Sequence, residues 1–379
     1  MTIFYNYLLT CGNRYTREFY FALKNSKTET MFSKYILVIV LVLLNAEYKA
    51  QDWQRLVSLK GFWKFSIGDD MNRAKPNYDD KDWETITAPS SWENEGFNGY
   101  DGHAWYRKTF VASGDLKNHT ITLRLGRIDD VDEVYLNGYL IGATGTFPPE
   151  YNTAYFAWRE YHVPQKYLNI GGENVIAIRV YDSQLEGGLI EGDLGLYEKK
   201  GAMRLDLDLA GQWSFEKGDD KDWKEKNYDD KMWDKIFVPA HWERQIGDDY
   251  DGFAWYRLTF TVPQSFKGKK LVLVLGKIDD IDEAYLNGKQ IGSTGNMKGD
   301  PIRYDTRSEY KLTRGYFIPD DLLEYGKENV VAVRVYDGFR DGGIYDGPIG
   351  LIEQSKYTKY WRNYKPPKQK KNIWELIFQ

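Results

Sequence analysis

The stretch Val134-Tyr135-Leu136-Asn137-Gly138-Tyr139-Leu140-Ile141 decides the fold of this chain. Two apolar segments flank Asn-Gly, the dipeptide typical of a type I′ turn, which needs positive φ at both central residues. The stretch therefore predicts a two-residue β-hairpin, and Asn287-Gly288 predicts a second one.

The segments around the first hairpin alternate apolar and polar side chains. Ile121, Leu123 and Leu125 alternate with Thr122 and Arg124, and 176–180 alternates in the same way. A period of two is typical of a strand with one buried face. Because glycine turns are frequent and no long amphipathic helix occurs, the pattern predicts an all-β fold, a β-sandwich with Greek-key or jelly-roll wiring.

The chain from about residue 55 to residue 353 contains one unit written twice. Residues 59–142 align without gaps to 209–292, and 41 of these 84 positions are identical. Solenoid repeats are much shorter than these copies of ~145 residues. The repeat therefore predicts two tandem domains, jelly-roll domain 1 at 55–200 and jelly-roll domain 2 at 205–353.

Length and composition agree with two folded units. The chain has 379 residues, enough for two domains of ordinary size. A formal net charge of −5 gives no basic footprint, so we expect no nucleic-acid partner. The aromatic content is 16%, which can fill a β-rich core or stack on ligands where rings are exposed. The single cysteine, Cys11, excludes an intrachain disulfide and a zinc site built on paired thiolates.

The first fifty residues predict targeting rather than fold. The apolar run 36–44 is too short to cross a bilayer, which needs ~20 helical residues. With Met31 and Lys34 before it, the run predicts a signal peptide over 31–50 and an upstream extension over 1–30. A buried strand or an uncleaved anchor is the alternative. The signal peptide implies a secreted or periplasmic protein that meets the membrane only through this transient segment.

The C-terminal segment 354–379 differs in composition from the two copies. It is basic and aromatic, with seven Lys/Arg and no acid between 356 and 371. We expect it to pack on the second sandwich, and a docking segment for a partner is the alternative.

Four motifs recur in both copies. In the first copy they are Pro89-x-x-Trp92-Glu93, Trp105-Tyr106-Arg107-x-x-Phe110, the run 128–138 and Gly171-x-x-Asn174-Val175. On these motifs each copy resembles the sugar-binding, galactose-binding-like jelly-roll domain of glycoside hydrolase family 2, which accompanies the catalytic barrel of β-galactosidases and β-glucuronidases. A related domain occurs in sialate O-acetylesterases. The resemblance implies a role in carbohydrate metabolism, with glycans or oligosaccharides as ligands.

The catalytic parts of those enzymes have no counterpart in the sequence. A (β/α)8 barrel needs ~250 residues of alternating strands and helices. The family's Asn-Glu acid/base dipeptide occurs only as Asn94-Glu95 in a sandwich loop, and the esterase's Gly-Asp-Ser block is absent. We therefore expect a non-catalytic carbohydrate-binding protein. The alternatives are an accessory subunit or fragment of a glycoside hydrolase or sialate O-acetylesterase, and a hydrolase that uses the acidic run described next.

An acidic run is the only candidate cluster of catalytic or metal-binding groups. It comprises Asp129, Asp130, Asp132 and Glu133, and the second copy repeats it as Asp279, Asp280, Asp282 and Glu283. Four roles are open: capping of turn amides, hydrogen bonds to sugar hydroxyls, Ca²⁺ ligation and catalysis. Ca²⁺ is the only cofactor that the sequence suggests, and no histidine occupies the same place in both copies.

Sugar recognition needs aromatic faces beside polar groups in a small concave site. The predicted rim residues of the first copy are Trp92, Tyr100, Asp101, Trp105, Arg107, Asp129 and Asp130. Their counterparts are Trp242, Tyr250, Asp251, Trp255, Arg257, Asp279 and Asp280. Phe156 and Trp158 next to Arg159 predict a stacking platform with a hydroxyl-binding guanidinium, and Arg314 aligns with Arg159. Four other tryptophans are predicted core anchors: Trp63, Trp83, Trp213 and Trp233.

Overall fold

The structure is a computed structural model that describes residues 53–246, 249–297 and 308–364. The predicted upstream extension, the predicted signal peptide and the end of the C-terminal segment lie outside the described residues. Within the described residues, no helix has the length and apolar character required to span a membrane.

The strands between residues 53 and 199 form two facing sheets. One sheet has the order β3-β2-β4-β9-β6-β7, and the other has the order β1-β11-β5-β10 with β8 also paired to β5. Their bounds are β1 Trp53–Ser58, β2 Gly61–Ile67, β3 Glu84–Ala88, β4 Gly102–Val111, β5 Ile121–Asp129, β6 Val131–Leu136, β7 Tyr139–Thr144, β8 Trp158–Val163, β9 Glu173–Asp182, β10 Gly188–Glu191 and β11 Gly195–Lys199. We call this pair of sheets the first sandwich.

The strands between residues 207 and 353 repeat the arrangement as the second sandwich. Its sheets have the orders β14-β13-β15-β20-β17-β18 and β12-β21-β16-β19. The strand bounds are β12 Leu207–Asp208, β13 Gly211–Lys217, β14 Asp234–Val238, β15 Gly252–Thr261, β16 Leu271–Asp279, β17 Ile281–Leu286, β18 Lys289–Thr294, β19 Thr313–Phe317, β20 Glu328–Asp337 and β21 Gly343–Glu353. The continuous strand β21 takes the place that β10 and β11 share in the first sandwich.

Helices are few and short in the described part of the chain. The α-helices are α1 Glu243–Ile246 and α2 Gln354–Asn363. Single 3₁₀ turns span Met71–Ala74, Glu93–Glu95, Gly114–Asn118, Gln165–Tyr167, Lys221–Lys224, Gln264–Phe266 and Glu309–Lys311. The predicted all-β fold of jelly-roll sandwiches is confirmed.

Both predicted hairpins are confirmed. Asn137 and Gly138 have φ of 51° and 87°, and the flanking residues Leu136 and Tyr139 pair across the turn. Asn287 and Gly288 have φ of 48° and 83°. Positive φ at both central residues is the type I′ geometry that matches the twist of the two strands.

Each sandwich has its own apolar core between its sheets. Trp63 and Trp213 are almost completely buried, and their indole N–H groups donate to the carbonyl oxygens of Leu59 and Leu209. These contacts confirm both tryptophans as core anchors, because a buried indole needs a partner for its one donor.

The helix α2 packs on the outside of the second sandwich. Tyr357, Tyr360 and Trp361 lie against an apolar cluster that includes Val272 and Val274 of β16. The expected packing of the C-terminal segment on the second sandwich is therefore observed for residues 354–364.

Candidate functional site

Carboxyl groups collect at one end of the first sandwich. Asp129 is the last residue of β5 and Asp182 is the last residue of β9, while Asp130 connects β5 to β6. One carboxylate oxygen from each of the three residues lies within 4.8 Å of the others. Asp101, which precedes β4, is exposed beside them, because Gly102 pairs with Asp182. We call Asp129, Asp130 and Asp182 the first acidic cluster.

Asp130 is the anchored member of the first acidic cluster. Its carboxylate accepts hydrogen bonds from the hydroxyls of Thr153, Tyr151 and Ser183, and from the backbone N–H of Ser183. Burial alone would raise the pKa of Asp130, but these donors together lower it to about 2. Asp130 is therefore ionised at neutral pH and holds the loops at 151–153 and 183 in place.

The pKa values of the other two members, Asp129 and Asp182, are raised rather than lowered. Burial, followed by the hydrogen bond with Asp130 and its charge, raises the pKa of Asp129 to about 7. Burial raises the pKa of Asp182 to about 7 as well. Asp182 is fully buried, and its Oδ2 has no hydrogen-bond partner within the described residues. Near neutral pH both carboxyl groups can therefore donate or accept a hydrogen bond.

The second sandwich repeats this arrangement with Asp279, Asp280 and Asp337, which we call the second acidic cluster. Burial raises the pKa of Asp279 to about 7 and that of Asp337 to about 8. Asp337 Oδ2 also lacks a hydrogen-bond partner within the part of the chain that the structure describes. Asp280 accepts the backbone N–H of Gly338, which stands where the first sandwich has Ser183.

The remaining residues of the acidic runs serve the fold. Asp132 and Arg159 are fully buried and form an ion pair with Arg159 Nε 2.6 Å from Asp132 Oδ1. Asp282 and Arg314 form the same pair at 2.8 Å. Glu133 pairs with Arg179 at the other side of β6. The groups available to a cation near either acidic run are therefore Asp129, Asp130 and Asp182, or their counterparts, and not the four acids of the run itself.

The prediction that Arg159 and Arg314 bind sugar hydroxyls is wrong. Besides its carboxylate partner, each guanidinium donates to three backbone carbonyl oxygens, which for Arg159 are those of Asp130, Ala154 and Ala157. A buried guanidinium is stable only when its donors are paired in this way. Four of the five N–H donors of each guanidinium are paired in this way, and neither side chain reaches the surface to contact a ligand.

The predicted rim tryptophans are also corrected. Trp92 and Trp242 are fully buried, and their indole N–H groups donate to the carbonyl oxygens of Tyr100 and Tyr250. Their large rings close the end of each core, which is the most favourable place for that apolar area. The same burial removes four other predicted rim residues from a ligand's reach: Trp105, Arg107, Trp255 and Arg257.

Tyr100 and Tyr250 are half-buried and pack beside the buried indoles. Their hydroxyls donate to the carbonyl oxygens of His103 and Phe253. Of the predicted rim residues preceding β4 and β15, Asp101 and Asp251 are the ones that the structure leaves exposed.

The predicted aromatic platform is exposed in the first sandwich. Phe156 and Trp158 have 68% and 57% of their surface exposed. Their loop is held to the first acidic cluster because Thr153 and the N–H of Ala154 donate to Asp130. Trp158 pairs with Arg127 across β8 and β5. Arg127 and Asp129 are two residues apart in β5, so their side chains point to the same face as Trp158.

The second sandwich has a different set of groups at the equivalent end. Lys311 and Thr313 replace Phe156 and Trp158 at the shift of 155 residues. Instead, His241, Glu243 and Asp341 come together, with one possible ligand atom of each within 4.8 Å of the others. The two copies therefore share the acidic clusters and differ in what surrounds them.

Sequence reasoning missed Asp182, Asp337 and the group of three around His241. Asp182 and Asp337 each end the triplet Val-Tyr-Asp, which occurs at the same place in both copies. The internal repeat could therefore have pointed to these two residues. Their distance along the chain from Asp129 and Asp279 hid the contact, because only the antiparallel pairing of β9 with β4 and β6, and of β20 with β15 and β17, brings these residues together.

The described residues form two jelly-roll sandwiches, each with an acidic cluster at one end, and comparison with known proteins shows what they are similar to. Residues 68–186 match the family described as the beta-galactosidase second all-beta domain. A putative beta-glucuronidase of Formosa agariphila is 28% identical over 174 residues, 43% of this chain and 16% of that protein. Beta-galactosidase BoGH2A of Bacteroides ovatus is 27% identical over 166 residues, 40% of this chain and 18% of that protein. The predicted resemblance to domains of glycoside hydrolase family 2 is therefore confirmed.

One solved structure aligns with much of the chain at a low TM-score. Bacteroides uniformis beta-glucuronidase 2, covalently bound to cyclophellitol-6-carboxylate aziridine, aligns with 77% of this chain and 28% of its own at 14% identity, with a TM-score of 0.34. The chain spans less than a fifth of the length of the two curated relatives.

Proposed function

We propose that the first sandwich binds carbohydrate at its acidic end. Asp129 and the exposed Asp101 would meet sugar hydroxyls, while the rings of Phe156 and Trp158 would stack on the apolar C–H face of the sugar. One observation carries the proposal: Asp129 and Trp158 share a face of the β5–β8 strand pair. Carboxyl groups beside exposed aromatic rings are the combination that saccharide recognition needs.

The protonation of Asp129 supports this use. A carboxyl group with a pKa of about 7 is part protonated at neutral pH, so it can accept from one sugar hydroxyl and donate to another. Asp130 stays ionised and fixes the loop that carries Phe156. The site would therefore be preformed, which reduces the entropy lost on binding.

Affinity electrophoresis and calorimetry on the full chain with a panel of oligosaccharides test the proposal. We expect Trp158→Thr, which introduces the residue of the second sandwich, to weaken binding about 2- to 10-fold, because one ring stacking is worth about 0.5–1.5 kcal/mol. The matched control is Phe62→Ala, since Phe62 is 74% exposed on β2 of the opposite sheet. Equal losses in the two variants, or no binding of any glycan at millimolar concentration, would refute the proposal.

A second candidate is an accessory subunit or fragment of a glycoside hydrolase. Its support is the partial coverage of relatives named beta-glucuronidase and beta-galactosidase. In that case the acidic end would face the catalytic part of the enzyme rather than a free glycan. Co-purification of a hydrolase with the full chain, and loss of that hydrolase's activity on removal of this chain, would favour this candidate.

We also propose that the protein acts in a secreted or periplasmic location. The apolar run 36–44 behind Met31 and Lys34 supports this location. Mass spectrometry of the N-terminus of the protein from its native cells would test it, because cleavage near residue 50 is expected.

A further inference from the structure

His241, Glu243 and Asp341 lie on two segments that are clamped together at the end of the second sandwich. The N–H of Trp242 donates to the carbonyl oxygen of Gly342 at 3.1 Å, and the N–H of Gly342 donates to Glu243 Oε1 at 2.9 Å. These reciprocal hydrogen bonds fix the segment before α1 against the turn before β21. The three side chains are therefore brought together by backbone contacts that do not depend on any ligand.

Two of the three side chains have buried polar atoms that no described residue satisfies. Within the described residues, His241 Nδ1 and Glu243 Oε2 are inaccessible and have no hydrogen-bond partner. Glu243 has only 9% of its surface exposed. Leaving such an atom unpaired costs about 1–3 kcal/mol. A buried, unpaired imidazole nitrogen and a buried, unpaired carboxylate oxygen belong to two side chains whose possible ligand atoms lie within 4.8 Å of each other, and this indicates a missing electrophilic partner.

The imidazole is held in a fixed orientation that suits metal coordination. The ring of His241 stacks on Tyr345 with 4.7 Å between centroids and 14° between planes, which fixes its orientation. Imidazole is the commonest side-chain ligand of metal ions, and the unpaired Nδ1 of His241 is the ring atom available for this role.

The exposed Asp341 completes the set from the solvent side. One ligand atom of each residue lies within 4.8 Å of the others. Ligands at about 2.0–2.1 Å from a tetrahedral zinc ion are about 3.4 Å apart. Rotation of the exposed Asp341 side chain can shorten its own distances to the other two ligand atoms. The open side leaves a coordination position for water.

We propose that His241, Glu243 and Asp341 bind one divalent transition-metal ion of the zinc class. One nitrogen and two carboxylate oxygens are ligands that Zn²⁺ accepts, whereas Ca²⁺ and Mg²⁺ prefer oxygen alone. This site is separate from the sugar-binding end proposed for the first sandwich, and neither proposal depends on the other.

The first sandwich provides an internal comparison at the same place. Ser91 stands where the second sandwich has His241, and Glu186 stands where it has Asp341. The carboxylate oxygens of Glu93 are 3.2 and 3.3 Å from the N–H of Gly187, so neither resembles the orphaned Oε2 of Glu243. The inference therefore predicts one metal ion per chain rather than two.

Isothermal titration of the tag-free full chain with ZnCl2, and visible absorption after titration with CoCl2, test this site. We expect one ion per chain and at least a tenfold weaker affinity in His241→Ser, which introduces the residue that the first sandwich already tolerates. Asp341→Asn changes an exposed residue and should also weaken binding at least tenfold while the melting temperature without metal is unchanged. Ser91→Ala is the matched control and should bind like the parent.

Three outcomes would overturn the proposal. The first is no Zn²⁺ or Co²⁺ binding at 1 mM. The second is the same stoichiometry and affinity in His241→Ser as in the parent. The third is binding lost in Asp337→Asn but kept in His241→Ser, which would assign the ion to the second acidic cluster.

Discussion

The buried ion pair between Arg159 and Asp132 makes a quantitative prediction about stability. Both side chains are completely inaccessible, and Tyr161 is the other side chain that donates to Asp132 among the described contacts. Arg159→Met keeps much of the volume but leaves a carboxylate in the core. Removing one partner of a buried pair costs about 3–5 kcal/mol. We expect a loss of that size in the free energy of unfolding of the first sandwich.

The pH dependence of this loss follows from the electrostatics of Asp132. Burial already raises the pKa of Asp132 against the attraction of Arg159, and without Arg159 the pKa rises further. The charged form then destabilises the native state, so the loss is greatest above the folded-state pKa. The loss of stability becomes smaller as the pH falls. Asp132 of the folded variant takes up a proton at a raised pKa, whereas Asp132 of the unfolded chain takes it up only near the ordinary pKa of about 3.9.

Urea unfolding followed by tryptophan fluorescence at pH 8 and pH 5 measures both effects. Arg124→Met is the matched control, since Arg124 pairs with Glu160 on the same sheet but both side chains are partly exposed. Such a pair is worth about 0–1 kcal/mol. The double variant Arg159→Met, Asp132→Leu should recover most of the stability. An Arg159→Met loss no larger than that of Arg124→Met, or equal losses at the two pH values, would refute the reasoning.

Four further substitutions test the fold. Gly126→Ala should cost more than about 3 kcal/mol, because its φ is +70° and the new Cβ would lie 1.8 Å from a backbone oxygen of β10. Gly68→Ala, with φ of +82° and open space around it, should cost only about 1 kcal/mol in the same urea titration. Asp208 is half-buried, and although burial acts to raise its pKa, its contacts with His162 and with backbone N–H groups lower it, so its contribution should be complete above its ordinary pKa and disappear as the pH falls through the lowered value. Asp208→Asn should therefore flatten the loss of thermal stability between about pH 5 and pH 2, and an unchanged acid profile would contradict this. Tyr357→Ala should lower the unfolding free energy of the second sandwich by about 1 kcal/mol by removing part of the α2 contact; no change in the second sandwich would show that α2 is not docked in solution.

Local sequence patterns predicted the architecture well. The Asn-Gly turns and the alternation in β5 and β9 are patterns of a few neighbouring residues. The internal repeat appears when one stretch of sequence is compared with another. All three can therefore be recognised from the sequence alone. Phe156 and Trp158 are exposed, as a stacking platform requires, and their part in binding stays a prediction.

The same patterns could not predict which side chains face the core and which face the solvent. Trp92 and Phe156 are both aromatic residues near strand ends, yet the first is fully buried and the second is 68% exposed. Arg159 follows two exposed aromatic residues in sequence but points inward, since adjacent residues of a strand face opposite sides. Which side is the inside depends on the other sheet, and that sheet comes from distant parts of the chain.

By itself the sequence determined that this protein consists of strands, that they form two copies of one sandwich, and where the turns between them lie. Tertiary structure alone decided that Asp182 meets Asp129, that Arg159 neutralises Asp132 in the core, and that His241 meets Asp341 across one hundred residues. The physical reason is the distance along the chain between the residues that interact. Turn geometry and side-chain alternation are properties of neighbouring residues, whereas burial, charge pairing and pKa depend on groups that only chain folding brings together.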